Sequence, residues 1–230
     1  MALNLIFLGP PGAGKGTQAD RFAAARGIPK ISTGDILRDA VAAGTDVGLK
    51  AKAVMESGAL VGDDIMIAIV RERLDRSDVR RGFILDGFPR TVAQATALEG
   101  IMLGRSPLIV IDIQVPEAEL VRRLTNRLIC VNCGANAPEG VTADSSGAVD
   151  ARCQRCGGKF VQRVDDGDAV VRERLKVYQQ KTRPLVEFYS ARPTFCAIDG
   201  AQPPTRVAEL IASAVDAVSG EVGVAGGGVR

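Results

Sequence analysis

A glycine-rich segment near the N-terminus has the residue types of a phosphate-binding loop. The segment GPPGAGKGT, Gly9 to Thr17, follows the apolar run Leu3 to Leu8 and precedes a helical pattern. Glycines let the backbone approach an anion, and the unpaired N–H groups at a helix start attract phosphate. Lys15 can reach the outer phosphates. Gly16 stands where Ser or Thr is expected, so the hydroxyl that usually holds magnesium is displaced. The alternative is an ordinary glycine turn.

Four of the five cysteines form two closely spaced pairs. Cys130 and Cys133 are separated from Cys153 and Cys156 by 19 residues. Two such pairs suit a tetrahedral zinc site with four thiolates. The intervening segment has few large apolar residues, so a metal would supply folding free energy that the segment lacks. The alternative is four free thiols on a mobile loop. Cys196 is predicted to be a small core residue.

Composition limits the classes of function. A chain of 230 residues with 46% hydrophobic residues can bury one core and carry small insertions. It contains no apolar run long enough to span a bilayer, and its start lacks the basic residues of a signal peptide. The net charge of +2 does not indicate whether the protein binds nucleic acid. Histidine is absent, which excludes an imidazole base or ligand.

The elements that must position these residues alternate between strands and helices. Predicted strands span 3–8, 82–86, 107–113 and 194–198, with a short one within 27–31. Predicted helices span about 14–25, 35–43, 47–57, 63–74, 91–103, 116–128, 168–191 and 203–218, with Asp63 and Asp64 capping the fourth. Apolar strands alternating with helices predict an α/β fold, in which a parallel sheet is covered on both faces. Ligands then bind at the carboxyl edge of that sheet.

Four motifs occur in order along the chain. They are GPPGAGKGTQ at 9–18, STGDILR at 32–38, LDGFPRT at 85–91 and an arginine-rich segment around the cysteine pairs. From about Leu3 to Val218 this set closely resembles the adenylate kinase family, in its long-lid form with a four-cysteine zinc-binding lid. The resemblance implies a P-loop, three-layer fold with a central parallel five-stranded sheet. It divides the chain into a core (1–31, 62–128 and 167–218), an NMP-binding helical segment (32–61), a lid (129–166) and a disordered tail (219–230).

The implied activity is reversible phosphoryl transfer from magnesium-bound ATP to AMP, giving two ADP. The implied catalytic residues are Lys15, Arg38, Asp86, Arg90, Arg127, Arg163 and Arg174. The implied ATP-binding residues are Gly12, Ala13, Gly14, Lys15, Gly16, Thr17, Arg123, Arg127 and Gln202. The implied AMP-binding residues are Thr33, Arg38, Ala59, Leu60, Val61, Gly87, Phe88, Pro89, Arg90, Gln94, Arg163 and Arg174. Arginine suits this reaction because its charged planar fork can hold the oxygens of a transferring group.

Other residues receive more specific expectations. Asp86 resembles the residue that orders magnesium-bound water, and the Gln94 amide can both donate to and accept from an adenine edge. Asp165 and Asp166 are expected to be hinge and ion-pair partners of the lid, with Gly167 compatible with a hinge. The lid stretch 135–152 departs from the family, because it lacks the expected aromatic and Asn-Pro-Pro-like residues. That departure puts adenine contacts within the lid in doubt.

Alternative functions remain open from the sequence. A UMP or CMP kinase would usually have a shorter lid. A zinc ribbon with an attached ATPase would bind nucleic acid, which the near-neutral charge and the lack of an aromatic–basic stripe disfavour. A small-metabolite kinase leaves 85–91 and Gln94 unexplained. The resemblance implies a cytoplasmic monomer that binds ATP, AMP and ADP, uses Mg²⁺ with ATP and a structural Zn²⁺, and has no nucleic-acid or membrane partner.

Overall fold

The computed structural model describes residues 2–138, 140–142, 149–163 and 165–225, the last five of these as backbone only. The strands are β1 (Leu3–Leu8), β2 (Lys30–Ser32), β3 (Gly82–Asp86), β4 (Leu108–Gln114), β5 (Leu128–Cys130), β6 (Phe160–Gln162) and β7 (Phe195–Asp199). Five of them form a parallel sheet in the order β2-β3-β1-β4-β7. The predicted fold class is confirmed.

Helices cover both faces of this sheet. They are α1 (Lys15–Arg26), α2 (Thr33–Ala42), α3 (Asp46–Glu56), α4 (Asp63–Leu74), α5 (Val92–Ile101), α6 (Glu117–Thr125), α7 (Asp168–Val177), α8 (Pro184–Ser190) and α9 (Pro204–Ala225), with a 3₁₀ turn at Ser77–Arg81. Successive residues of β1 point to opposite faces, as strand geometry requires. Leu5 packs in a cluster with α1, α6, α7 and α9, whereas Ile6 packs in a second cluster with α4, α5 and α8.

Two helix predictions were wrong in extent. The helix predicted over 168–191 is interrupted by a π-helical turn, Tyr178–Thr182, before Pro184 begins α8. Proline has no N–H to donate, so it is placed where a helix starts. The final helix passes its predicted end at Val218 and continues to Ala225, so 219–225 is helical rather than disordered. The rest of the predicted disordered tail, 226–230, lies outside the described residues.

The cysteine-rich insertion is built on a small hairpin that the sequence did not predict. Strands β5 and β6 pair antiparallel, with Leu128 opposite Gln162. Leu128, Cys130, Cys153 and Phe160 form a buried cluster of their own. Part of the atypical lid stretch, at 139 and 143–148, lies outside the described residues. Across the described parts of the chain, no helix has the length and apolarity to cross a membrane.

Candidate active site

An open cleft lies at the carboxyl ends of the central strands. The space within it, including the open mouth, is about 1060 Å³. The predicted site residues that line it are Lys15, Thr33, Arg38, Ala59, Leu60, Val61, Gly87, Pro89, Arg90, Gln94, Arg163 and Arg174. Residues from the phosphate loop, the helical segment 32–61 and the lid boundary therefore meet in one place. They meet because parallel strands end at the same edge of the sheet.

The phosphate-loop glycines permit close backbone packing. Gly9 has φ +133°, and a Cβ there would lie 2.5 Å from the carbonyl oxygen of Ile113. The half-buried Lys15 folds back over the loop, and its Nζ donates to the carbonyls of Gly9 at 2.7 Å and Pro10 at 2.8 Å. A phosphate entering the loop would compete for this ammonium group.

Lys15 lies in a strongly positive field. Burial lowers its pKa to about 8, and the carboxylate of Asp86 opposes that change. The nearby guanidinium groups of Arg90, Arg174 and Arg127 contribute smaller parts of that decrease. Cations gathered at one point favour a ligand that carries several negative charges.

Asp86 ends β3 and faces the phosphate loop. In the sheet it is the register partner of Phe7, two residues before Gly9. A Cβ on Gly16 would lie 3.3 Å from Asp86 Oδ2, so Gly16 leaves space beside this carboxylate. A hard cation such as Mg²⁺ prefers carboxylate and water oxygens. Asp86 is thus placed where it can hold a cation beside phosphate, although Gly16 offers no hydroxyl.

Arg127 is fixed by Asp166, whose side chain is fully buried. Its Nε and Nη2 donate to the two carboxylate oxygens at 2.7 and 2.6 Å, in a bidentate pair. Arg174 Nη1 donates to the same carboxylate at 2.8 Å. One buried acid therefore positions two of the predicted catalytic arginines.

Asp165 positions the third arginine of this group. Arg163 donates to both of its carboxylate oxygens, at 2.8 and 2.7 Å, and Arg174 lies 3.3 Å from one of them. Burial raises the pKa of Asp165, but Arg163 and Arg174 outweigh it and hold that pKa below its usual value. Both acids are the ion-pair partners that the sequence predicted. Three arginines against two aspartates leave one positive charge in excess for a ligand.

On the other side of the cleft, Gly87 joins two predicted AMP-binding residues. Its carbonyl oxygen accepts from Thr33 Oγ1 and from Arg90 Nε, each at 2.9 Å. Its φ is +82°, and a Cβ there would lie 3.0 Å from both Thr33 Oγ1 and Arg90 Nη2. Only glycine fits here. Nearby in α2, Arg38 forms an ion pair with Asp35.

Gln94 is a buried cleft residue rather than a solvated one. Its side chain is 2% exposed, and both ends of its amide are engaged. Oε1 accepts from the backbone N–H of Arg90 at 2.8 Å, and Nε2 donates to Asp63 Oδ1 at 2.7 Å. The amide is therefore held in one orientation at the cleft wall.

Several predicted residues lie outside the cleft lining. Arg123 pairs with Glu119 at 2.8 Å on α6, and Gln202 donates to Asp199 at 2.8 Å in the turn after β7. Phe88 is buried in the core beneath the cleft. Also outside the lining are the loop residues Gly12, Ala13, Gly14, Gly16 and Thr17, together with Asp86 and Arg127.

Some residues that line the cleft were not predicted from the sequence. Thr182, in the π-helical turn, donates to the carbonyl of Arg90 at 2.9 Å, and Met55 and Tyr178 also line the cleft. No local motif marks any of these three. The lid also touches α1, because Asn136 Nδ2 donates to Thr17 Oγ1 at 3.3 Å.

The four paired cysteines converge at the tip of the β5–β6 hairpin. All four sulfurs lie within 4.8 Å of one another, with Cys130–Cys156 at 3.4 Å and Cys133–Cys153 at 3.6 Å. Zinc–sulfur bonds of about 2.3 Å in a tetrahedron require sulfurs roughly 3.8 Å apart. The four thiols fit a zinc ion with little adjustment.

Two features of the backbone support this cysteine cluster. Burial raises the pKa of Cys130, but hydrogen bonds from the backbone N–H groups of Asn132 and Cys133 and from neighbouring thiols outweigh it and lower that pKa, while the neighbouring thiols raise the pKa of Cys156. The backbone thus favours one thiolate, that of Cys130, within the cluster. A Cβ on Gly158 would lie 2.6 Å from Cys130 Sγ, so a side chain there would invade the cluster.

The fold and cleft together define a class of protein: an α/β protein whose phosphate loop faces a cluster of fixed arginines. The family model described as adenylate kinase matches residues 7–194. The adenylate kinase of Archaeoglobus fulgidus is 50% identical over 205 residues, covering 86% of this chain and 91% of that protein. The adenylate kinase of Kosmotoga olearia is 48% identical over 211 residues, covering 91% and 97%. The chain belongs to the adenylate kinase family.

Proposed function

We propose that the protein catalyses reversible phosphoryl transfer from magnesium-bound ATP to AMP, giving two molecules of ADP and balancing the adenine nucleotides. Family membership supports this activity. The observation that carries it is that one cleft has the phosphate loop on one wall and the Thr33–Gly87–Arg90 group and Gln94 on another. Two nucleotides entering from these walls would bring their phosphates together between them.

The arginines supply the main chemistry. Phosphoryl transfer needs alignment and charge stabilisation more than a protein nucleophile, so the absence of histidine is no obstacle. Lys15 and the phosphate-loop N–H groups hold the donor phosphates, and Arg90 and Arg38 hold the acceptor phosphate. Arg127, Arg163 and Arg174 surround the transferred group. Asp165 and Asp166 fix those three side chains in advance, so less ordering is required when a nucleotide arrives.

Two metal ions are implied. Asp86, beside Gly16 of the phosphate loop, would hold Mg²⁺, which neutralises phosphate charge when it is bound with ATP. Cys130, Cys133, Cys153 and Cys156 would hold Zn²⁺ in a closed site, which supplies folding free energy to the lid. The magnesium and zinc sites have separate roles, because the cysteines offer no open coordination position.

The lid would exclude water from the cleft. It reaches α1 through Asn136, and its base carries Arg163 beside Asp165. Closure of such an element keeps ATP from being hydrolysed without an acceptor. We propose that Arg123 and Gln202 contact ATP only after rearrangement, since each has a protein partner outside the cleft lining.

The proposal is tested by incubating the protein with magnesium ATP and, in separate reactions, AMP, CMP, UMP, GMP or no acceptor. We expect rapid ADP formation with AMP and little with the others. Faster reaction with another nucleotide would keep the mechanism but remove adenine selection by Gln94. Hydrolysis without an acceptor would contradict the kinase proposal. We also expect a monomer, which light scattering measures.

A further inference from the structure

The side-chain amide of Gln94 can select one purine base only if it is held in one orientation. Its oxygen and nitrogen have nearly the same shape, and a half-turn about the last side-chain bond exchanges them. One orientation complements adenine, which offers an N1 acceptor beside an N6 donor. The other complements a 6-oxopurine, which offers an N1–H donor beside an O6 acceptor. A freely turning glutamine would therefore accept both kinds of base.

Two protein groups prevent this half-turn. The backbone N–H of Arg90 can only donate, and it bonds Gln94 Oε1 at 2.8 Å. The carboxylate of Asp63 can only accept, and it bonds Gln94 Nε2 at 2.7 Å. Turning the amide would place N–H against N–H on one side and oxygen against oxygen on the other. Both contacts would be repulsive within a nearly fully buried environment.

Asp63 is itself held in place. Its Oδ2 accepts from Thr91 Oγ1 at 3.0 Å, and the same hydroxyl caps α5 by accepting from the N–H of Gln94 at 3.2 Å. Asp63 is the first residue of α4, and the N-cap residue before it is Gly62, which has no side chain to cap the helix. The Asp63 carboxylate is committed to Thr91 and Gln94.

We propose that Asp63 is a specificity-determining positioning residue that locks the Gln94 amide in the orientation that selects adenine over 6-oxopurines in the acceptor. This inference rests on the proposed function. Asp63 acts through Gln94 and does not touch the nucleotide. Because Gln94 lines the cleft, its remaining Nε2 hydrogen and its remaining Oε1 lone pair would be the groups that meet the N1 acceptor and the N6 donor of adenine.

The test compares AMP with IMP, which differ at this edge of the purine, in the wild type and in Asp63→Asn. Asparagine keeps the shape of aspartate but can present an N–H as well as an oxygen to Gln94, so it removes one of the two constraints on the amide and leaves only the backbone N–H of Arg90. We expect the ratio of kcat/KM for AMP to that for IMP to fall by about tenfold or more, the scale of one hydrogen bond to a charged group. Asp64→Asn is the matched control. It removes the same charge from the next residue of α4, which is exposed, and the ratio should not change.

Three outcomes overturn the inference. These are an unchanged ratio in Asp63→Asn, an equal loss of activity with both acceptors, and an equal fall in the ratio in Asp64→Asn. In a Gln94→Ala background, Asp63→Asn should have no further effect on the ratio, and a persisting effect would also overturn it. A wild type inactive towards AMP would instead overturn the proposed function.

A measurement on the wild type covers the case in which Asp63→Asn does not fold. The side-chain NH₂ of Gln94 should exchange slowly with solvent in nucleotide-free protein, because Asp63 holds it. Fast exchange, as in exposed glutamines, would show that the amide is not locked and would overturn the inference.

Discussion

Replacing Asp166 by asparagine should destabilise the nucleotide-free protein. Asp166 is fully buried and receives hydrogen bonds from Arg127 at 2.6 and 2.7 Å and from Arg174 at 2.8 Å. Asparagine has the same size but no charge, so two guanidinium groups would lose their shared counter-ion. Asp165 alone would then face three arginines, and the excess positive charge at the lid base would rise from one to two.

The size of the effect follows from the burial of the three side chains. Removing one partner of a buried ion pair costs about 3–5 kcal/mol. The side chains of Arg127 and Arg174 retain 21% and 17% exposure, so water offsets part of the loss. We therefore expect the free energy of unfolding to fall by about 2–3 kcal/mol. For a chain of this size, that corresponds to a Tm lower by roughly 5–10 °C.

The assay is thermal unfolding by circular dichroism, with and without saturating ATP. ATP phosphates can replace the missing carboxylate, so ATP should raise the Tm of Asp166→Asn more than that of the wild type. Asp20→Asn is the matched control, because Asp20 pairs with Lys30 at 2.6 Å while remaining 63% exposed. Exposed pairs contribute less than about 1 kcal/mol, so this variant should unfold almost like the wild type.

Two results would refute this reasoning. One is an Asp166→Asn variant that melts within a degree of the wild type. The other is a control variant that loses as much stability as Asp166→Asn does. Either would mean that the buried carboxylate does not stabilise the two arginines as the geometry indicates.

The remaining predictions concern the phosphate loop and the cysteine cluster. Lys15→Met should abolish phosphoryl transfer without lowering the Tm, and near-normal turnover would contradict the phosphate-loop assignment. Because burial lowers the pKa of Lys15 to about 8, the lysine loses its charge as pH rises through that value. Binding of ATP measured by calorimetry should therefore weaken above pH 8. In Lys15→Met this weakening should be absent, because the variant lacks the ionisable group. Cys153→Ser should lower zinc content and Tm together, as measured by metal analysis and calorimetry. Gly158→Ala should do the same, since the added Cβ would lie 2.6 Å from Cys130 Sγ. An unchanged Tm in the presence of a chelator would show that the lid does not depend on metal.

Local patterns in the sequence predicted much of the fold. Strand β1 has the predicted bounds, because an apolar run followed by glycines leaves few alternatives. The parallel sheet followed from the alternation of apolar strands and helices. The hairpin strands β5 and β6 are three residues long, too short for any period to show. The π-helical turn also left no signal, since it continues a helical pattern with one wider turn.

The site was predictable where motifs are local and less so where contacts are distant. Lys15 and Arg90 lie within short motifs and line the cleft as the resemblance implied. Asp63 was predicted only as a helix cap, but its carboxylate bonds a side chain 31 residues away. Arg123 carries the expected charge, but it forms an ion pair with Glu119 on the same helix. Residue type alone does not reveal which partner a side chain takes.

The pairing of Leu128 with Gln162 makes the lid an exchangeable module. The chain leaves the core at β5 and returns at the adjacent strand β6, so the insertion begins and ends at neighbouring points. All four clustered cysteines and a separate small hydrophobic cluster lie within it. We therefore expect that a lid of another length or with another metal could be grafted at this junction without moving a strand of the central sheet. We expect metal shortage to impair the lid first, because its hydrophobic cluster is separate from the two clusters that pack against the central sheet.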